Sequence, residues 1–200
     1  MEKESLLKKI KYWKTRRVEA VINSSPSIYL VKTGALDFLQ IYSKVYIPEI
    51  VKKEVVDTGK RINAPDALFL EKAIEEGRIA IGVHNSGGIY STLLKNPLIH
   101  RGDAQAIAMA DEKNAVLIMD DAKGIEVARM MNLQVEPTLT VILIGYALGI
   151  SDYHRAKEIF QNLLFTRFRI SALEYGNALR YLEILREIID SGRGENKWSE

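Results

Sequence analysis

The chain has 200 residues, 47% of them hydrophobic, a formal net charge of +2 and no cysteine. That length and apolar content suit a compact domain with a sizeable core and exclude a disordered chain. The missing cysteines exclude a disulfide framework, a thiolate zinc site and a cysteine nucleophile, so any chemistry must come from oxygen and nitrogen groups.

The first element, "MEKESLLKKIKYWKTRR", holds seven of the basic residues and two glutamates in residues 1–17, a local balance of +5 against −3 for the remainder. It lacks the apolar core of a signal peptide, and no stretch approaches the roughly 20 apolar residues of a membrane span. The expectation is a cytoplasmic protein, and "NSS" at 23–25 and "RGD" at 101–103 are then accidental matches to a glycosylation sequon and an adhesion motif. Lysines interleaved with Tyr12 and Trp13 suit contact with phosphates and bases, although a solvated basic helix has the same composition.

From residue 19 onward, apolar runs of strand length alternate with helical patterns. Strands are predicted at 19–24, 44–48, 78–83, 115–120 and, more weakly, 133–137. Helices are predicted at 26–42, 49–58, 65–76, 103–113, 122–132 and 139–149, followed by two at 151–164 and 171–190 with no strand between them. This order predicts an α/β fold with a central parallel sheet covered on both faces and extra C-terminal helices. The divisions expected are a basic segment at 1–18, an α/β domain at 19–150, a helical extension at 151–190 and a flexible tail at 191–200. The connection at 84–100 is the longest weakly patterned one. At the extension's junction, Leu163, Leu164, Phe165 and Phe168 are expected to pack into a core, or else to form a dimer surface.

Ligands of open parallel sheets bind beyond the carboxyl ends of the strands. Asn23 ends the first predicted strand, and Asp120 with Asp121 ends the fourth. Three acids also share a phase with apolar stripes. Glu54 lies four residues from Ile50, Asp103 precedes Ala106, Ile107 and Ala110, and Asp121 precedes Gly124, Ile125 and Ala128. Asp103 and Asp121 also stand at helix starts, where an aspartate serves as a cap, and Glu54 could face a buried cation. Several carboxylates gathered at one place repel one another unless a divalent cation is bound, and hard oxygen donors favour Mg²⁺ or Mn²⁺. The Walker-type and dinucleotide-binding glycine loops and the nucleophile elbow are absent, and His84, His100 and His154 form no spaced ligand pair. His100, three residues before Asp103, could touch a substrate phosphate, although a loop histidine with no role is the commoner case.

The segments "VINSSPSIYLVKTGALDFL", "VYIPEIVKKEVV", "HRGDAQAIAMADEKNAVLIMDDAKGIEVARMMNLQV" and "TRFRISALEYGNAL" occur in an order that resembles the PIN domain, in the prokaryotic branch that includes VapC-like toxins. The resemblance spans residues 19–180 and implies a three-layer α/β/α nuclease that cleaves RNA with carboxylate-bound Mg²⁺ or Mn²⁺. It further implies a homodimer and, for toxin members, an antitoxin protein as partner. The family's four acidic positions fall at Asn23, Glu54, Asp103 and Asp121, with Asp120 an adjacent candidate ligand. Ser24 or Ser25 matches the small hydroxyl residue that orients the site. Asn23 departs from the pattern, since an amide replaces a carboxylate and should lower metal affinity. Pro137 and Ile125 depart as well, where relatives carry a glycine and a basic residue. Two other readings stand beside the ribonuclease. One is an RNA-binding or assembly module with a weakened site. The other is a phosphotransfer receiver, which needs an acidic pair that "VINSS" does not offer.

Overall fold

The computed structural model describes residues 2–83 and 87–195, so His84 lies outside the described residues. Two compact units divide the chain. Residues Arg17–Thr138 form one, and the described parts of Met1–Arg16 and Leu139–Glu200 form the other.

The chain opens with α1 (Glu2–Thr15), then β1 (Glu19–Ile22) and α2 (Ser24–Lys32). The helix predicted at 26–42 is interrupted because Gly34 takes a positive φ of 69° after α2 and the Ala35 N–H folds back onto the Leu30 carbonyl. A 3₁₀ turn (Leu36–Ile41) then leads into β2 (Lys44–Pro48), the predicted strand to the residue. One helical run follows, as α3 (Glu49–Lys52), a π-helical stretch (Lys53–Thr58) and α4 (Gly59–Arg61). Next come α5 (Pro65–Glu75), β3 (Ala80–Gly82) and α6 (Ile89–Leu93), a short helix within the connection expected to be unpatterned. The unit continues with α7 (Arg101–Lys113), β4 (Val116–Ile118) and α8 (Ala122–Met130). The weak strand at 133–137 is reduced to one parallel bridge, Leu117 to Val135, because only two backbone hydrogen bonds form there before Pro137 removes a donor.

All three strand pairs are parallel, and the strand order is β3-β2-β1-β4. Side chains alternate between faces. Val21, Leu117 and Met119 join Ile107 and Met109 of α7 in one core cluster, while Ala20, Ile22, Val116 and Ile118 point the other way and are equally buried. Burial of both sets requires cover on both faces, which explains why the strands read as continuous apolar runs. The α/β fold with a parallel sheet flanked by helices is therefore as expected.

In the second unit, α9 (Thr138–Ala147), α10 (Tyr153–Leu164) and α11 (Ala172–Glu195) follow in sequence, and α11 packs against both α1 and α10. The predicted boundaries shift accordingly. The described part of Met1–Arg16 belongs to the helical unit, whose C-terminal part begins at Leu139. Residues 191–195 continue α11, while 196–200 lie outside the described residues. At the α10 junction, core packing holds for Leu163 but not for Leu164 and Phe165, which are exposed because α10 ends at Leu164 and turns its last residues outward. Among the described residues no helix is long and apolar enough to cross a membrane.

Candidate active site

β1 lies between β2 and β4, so the chain leaves β1 toward one side of the sheet and reaches β4 on the other. The carboxyl ends of β1 and β4 flank the point where strand order reverses, the place where such sheets bind ligands. Asn23 follows β1 there, and its backbone N–H donates to the Ile118 carbonyl of β4 at 3.0 Å.

Asn23 occupies the N-cap of α2, but its side chain caps nothing. The amide is 3% exposed, and its Nδ2 donates to Asp103 Oδ1 across 2.6 Å, joining residues 80 apart in sequence. Its Oδ1 is buried with no partner. An unpaired buried acceptor is costly, and this one is an oxygen of the kind that ligates hard cations.

Asp103 lies in the first turn of α7, on the face it shares with buried Ala106, Ile107 and Ala110, as its phase predicted. Burial pushes its carboxyl above the ordinary value of 3.8, and nearby Asp121 adds to the rise; the Asn23 hydrogen bond, the charge of His100 and a bond from the His100 backbone oppose it. His100 is the N-cap of α7, and its carbonyl accepts the Ala104 N–H.

Glu54 corrects the phase argument. It does not point inward with Val51 and Val55 but is exposed. The π-helical stretch widens the turn, and both the Lys52–Asp57 ion pair at 2.5 Å and the Thr58 hydroxyl on the Lys53 carbonyl at 3.1 Å span five residues. The 3.6-residue spacing therefore misplaces Glu54 around the axis. Its carboxylate instead accepts the Ser24 hydroxyl at 2.7 Å. It also lies beside Gly102, where an added Cβ would come within 3.0 Å of both carboxylate oxygens. Ser25 makes no side-chain hydrogen bond among the described residues, so Ser24 is the hydroxyl that orients an acid.

Asp121 is exposed and caps α8, its Oδ1 accepting the Gly124 N–H at 2.8 Å. The cap uses one oxygen of the two. Asp120 is engaged differently. Its two oxygens accept the Thr138 N–H at 2.8 Å and the Thr138 hydroxyl at 2.6 Å, and burial pushes its carboxyl up while those bonds draw it down. Asp120 thus fastens the end of β4 to Thr138 within the same unit.

Three contributors were not read from the sequence. Gly102 leaves the space that Glu54 fills, and its signal was a glycine inside a helical pattern beside an acid. Thr138 holds Asp120, and a threonine after "EP" before an apolar run is a helix-start signal. Gln105 is nearly buried, and its Oε1 accepts the Ile50 N–H at 2.8 Å, tying α7 to the run that carries Glu54. No local pattern marks it.

A family model described as "DUF3368: PIN domain" matches residues 19–183. The chain belongs to the PIN-domain family. No curated protein and no solved structure matches it. PIN domains are generally nucleases and usually bind divalent metals, so this chain has a nuclease-type fold.

Among the described residues no three His, Asp or Glu side chains gather closely enough to hold a metal ion. Asn23 Oδ1 nevertheless fits such an ion, being an orphaned oxygen next to Asp103. The atoms that Asn23, Glu54, Asp103 and Asp121 can offer a cation are all oxygens, the donors that Mg²⁺ and Mn²⁺ take.

Proposed function

We propose that this PIN domain is a Mg²⁺- or Mn²⁺-dependent ribonuclease that hydrolyses RNA phosphodiester bonds. One observation carries the reading: the buried Asn23 oxygen, lacking any partner, sits beside Asp103 at the sheet's switch point, with Asp121 close enough to raise the Asp103 pKa. Asn23, Glu54, Asp103 and Asp121 would hold the ion. Bound there, it would lower the pKa of an attacking water and offset charge growing on the scissile phosphate.

The chain's own part is positioning. Ser24 fixes one Glu54 oxygen, Gly102 admits the carboxylate, and Gly124 orients Asp121 through its backbone N–H. The Asn23 amide satisfies Asp103 while the ion is absent; turning that amide about its last torsion presents Oδ1 instead of Nδ2. Asp120 remains with Thr138 and acts by holding the strand end.

The decisive variant is Asp121→Asn, which removes a charge and keeps the shape. It is expected to abolish Mn²⁺-dependent cleavage of single-stranded RNA, and cleavage at the wild-type rate would overturn the assignment.

A second reading has its own support. The Asn23–Asp103 hydrogen bond occupies an oxygen that a metal would use, as suits an RNA-binding or assembly module whose metal site has weakened. A melting temperature that neither Mg²⁺ nor Mn²⁺ raises, in wild type or in Asn23→Asp, would favour that module.

A further inference from the structure

α1 carries five lysines against two glutamates. Within the helical unit, a cavity of about 710 Å³ opens between α1, the turn from α9 to α10 and residues 186–190 of α11. Lys11 and Lys14 line it. Three residues apart, they share one face of α1, both are exposed, and neither has an ion pair among the described residues.

The opposite wall supplies donors. Ser151 is among the residues around the same cavity, and its hydroxyl is buried without a hydrogen-bond partner. Arg186 lies over the Tyr153 ring, its guanidinium carbon 4.5 Å from the centroid. Its acidic neighbours Asp190 and Glu183 stand at 3.7 and 4.0 Å, ion pairs too long for a direct hydrogen bond. The acids of the lining are committed elsewhere: Asp152 caps α10 through the Arg155 N–H, and Asp190 faces Arg186. Two free ammonium groups, a fixed guanidinium and an orphaned hydroxyl around one cavity are the donors that a phosphodiester oxygen accepts from.

We propose that this cavity is a phosphate-binding subsite for single-stranded RNA. Lys11 and Lys14 neutralise the backbone, Arg186 donates to a phosphate oxygen, and the Ser151 hydroxyl gains its missing partner from the same group. The inference rests on the reading of the chain as a protein that acts on RNA.

The test is binding of a fluorescently labelled single-stranded RNA to the full chain in EDTA, where no metal-dependent cleavage occurs. Lys11→Ala/Lys14→Ala is compared with Lys8→Ala/Lys9→Ala, which removes the same charge from exposed residues of α1 outside the cavity. Alanine favours helix, so both variants keep α1. The cavity variant is expected to bind about tenfold more weakly, with the slope of log affinity against log salt shallower by about 1.4, at ~0.7 for each phosphate of a single strand. Ser151→Ala is expected to weaken binding a few-fold with the slope unchanged. Equal binding by the two double variants would overturn the subsite, as would a wild type that binds no RNA. Binding through these lysines without Mn²⁺-dependent cleavage would keep the subsite and overturn the nuclease reading. Cleavage with unaltered binding by Lys11→Ala/Lys14→Ala would do the reverse.

Discussion

At Asn23 a single atom separates two kinds of site. With nitrogen at 2.6 Å from Asp103 Oδ1, the contact is a hydrogen bond. With oxygen in that place, two carboxylates would confront each other in a nearly water-free setting, which only a shared proton or a cation relieves. Asn23→Asp is therefore expected to lower the melting temperature of metal-free protein at pH 7, on the order of 1–3 kcal/mol for the broken bond. It is also expected to enlarge the rise on adding Mn²⁺. Thermal melts with and without Mn²⁺ measure both. Asp103 has a pH signature of its own. Its carboxyl is held above the ordinary 3.8, so the folded chain binds that proton more tightly than the unfolded one, and ionised Asp103 weighs against folding. That cost is absent below about 3.8 and grows as pH rises through the folded value. Asp103→Asn, which can still accept from Asn23, is expected to match wild type in acid and to melt about 2–4 °C higher at pH 7 for each kcal/mol gained. A melting temperature unchanged at pH 7 would show that the carboxylate carries no such strain.

Among the elements, the helical run Glu49–Arg61 and the first turn of α7 meet around the Glu54 carboxylate, and Gly102 sets how closely they approach. Gly102→Ala separates stability from function. A methyl inside a helix stabilises by up to about 1 kcal/mol, yet here it comes within 3.0 Å of both Glu54 oxygens. The carboxylate is the mobile end of a long side chain, so it yields before the backbone does and leaves Ser24. The variant is expected to unfold at the same or higher urea concentration while losing most of its Mn²⁺-induced stabilisation. The same elements show where sequence periodicity applies. Asp103 obeyed the 3.6-residue rule because α7 is a regular helix, whereas Glu54 did not because residues 53–58 wind as a π-helix. Nothing in "KEVVDT" announces that change of pitch, since the i, i+5 pairing that supports it exists only once the turn has formed.

For the whole molecule, the site depends on a core that lies behind it. Ile107, fully buried one turn beyond Asp103, packs with Val21 and Leu117 of the two strands whose ends flank the site. Ile107→Ala is expected to cost about 2–5 kcal/mol in chemical denaturation and to weaken Mn²⁺ binding without touching a ligand. The chain by itself determined the strand and helix order, the parallel sheet and the presence of Asn23, Asp120 and Asp121 at strand ends, because these follow from apolar spacing over a few residues. Tertiary structure alone decided which partner each polar group took. Asn23 found Asp103 rather than its own helix, Asp120 turned to Thr138, Glu54 came out to Ser24, and the N-terminal basic helix joined the C-terminal helices. The physical reason is range: a side chain's phase is set by its nearest neighbours in sequence, whereas its hydrogen-bond partner is set by which distant segments the packed core brings within 3 Å.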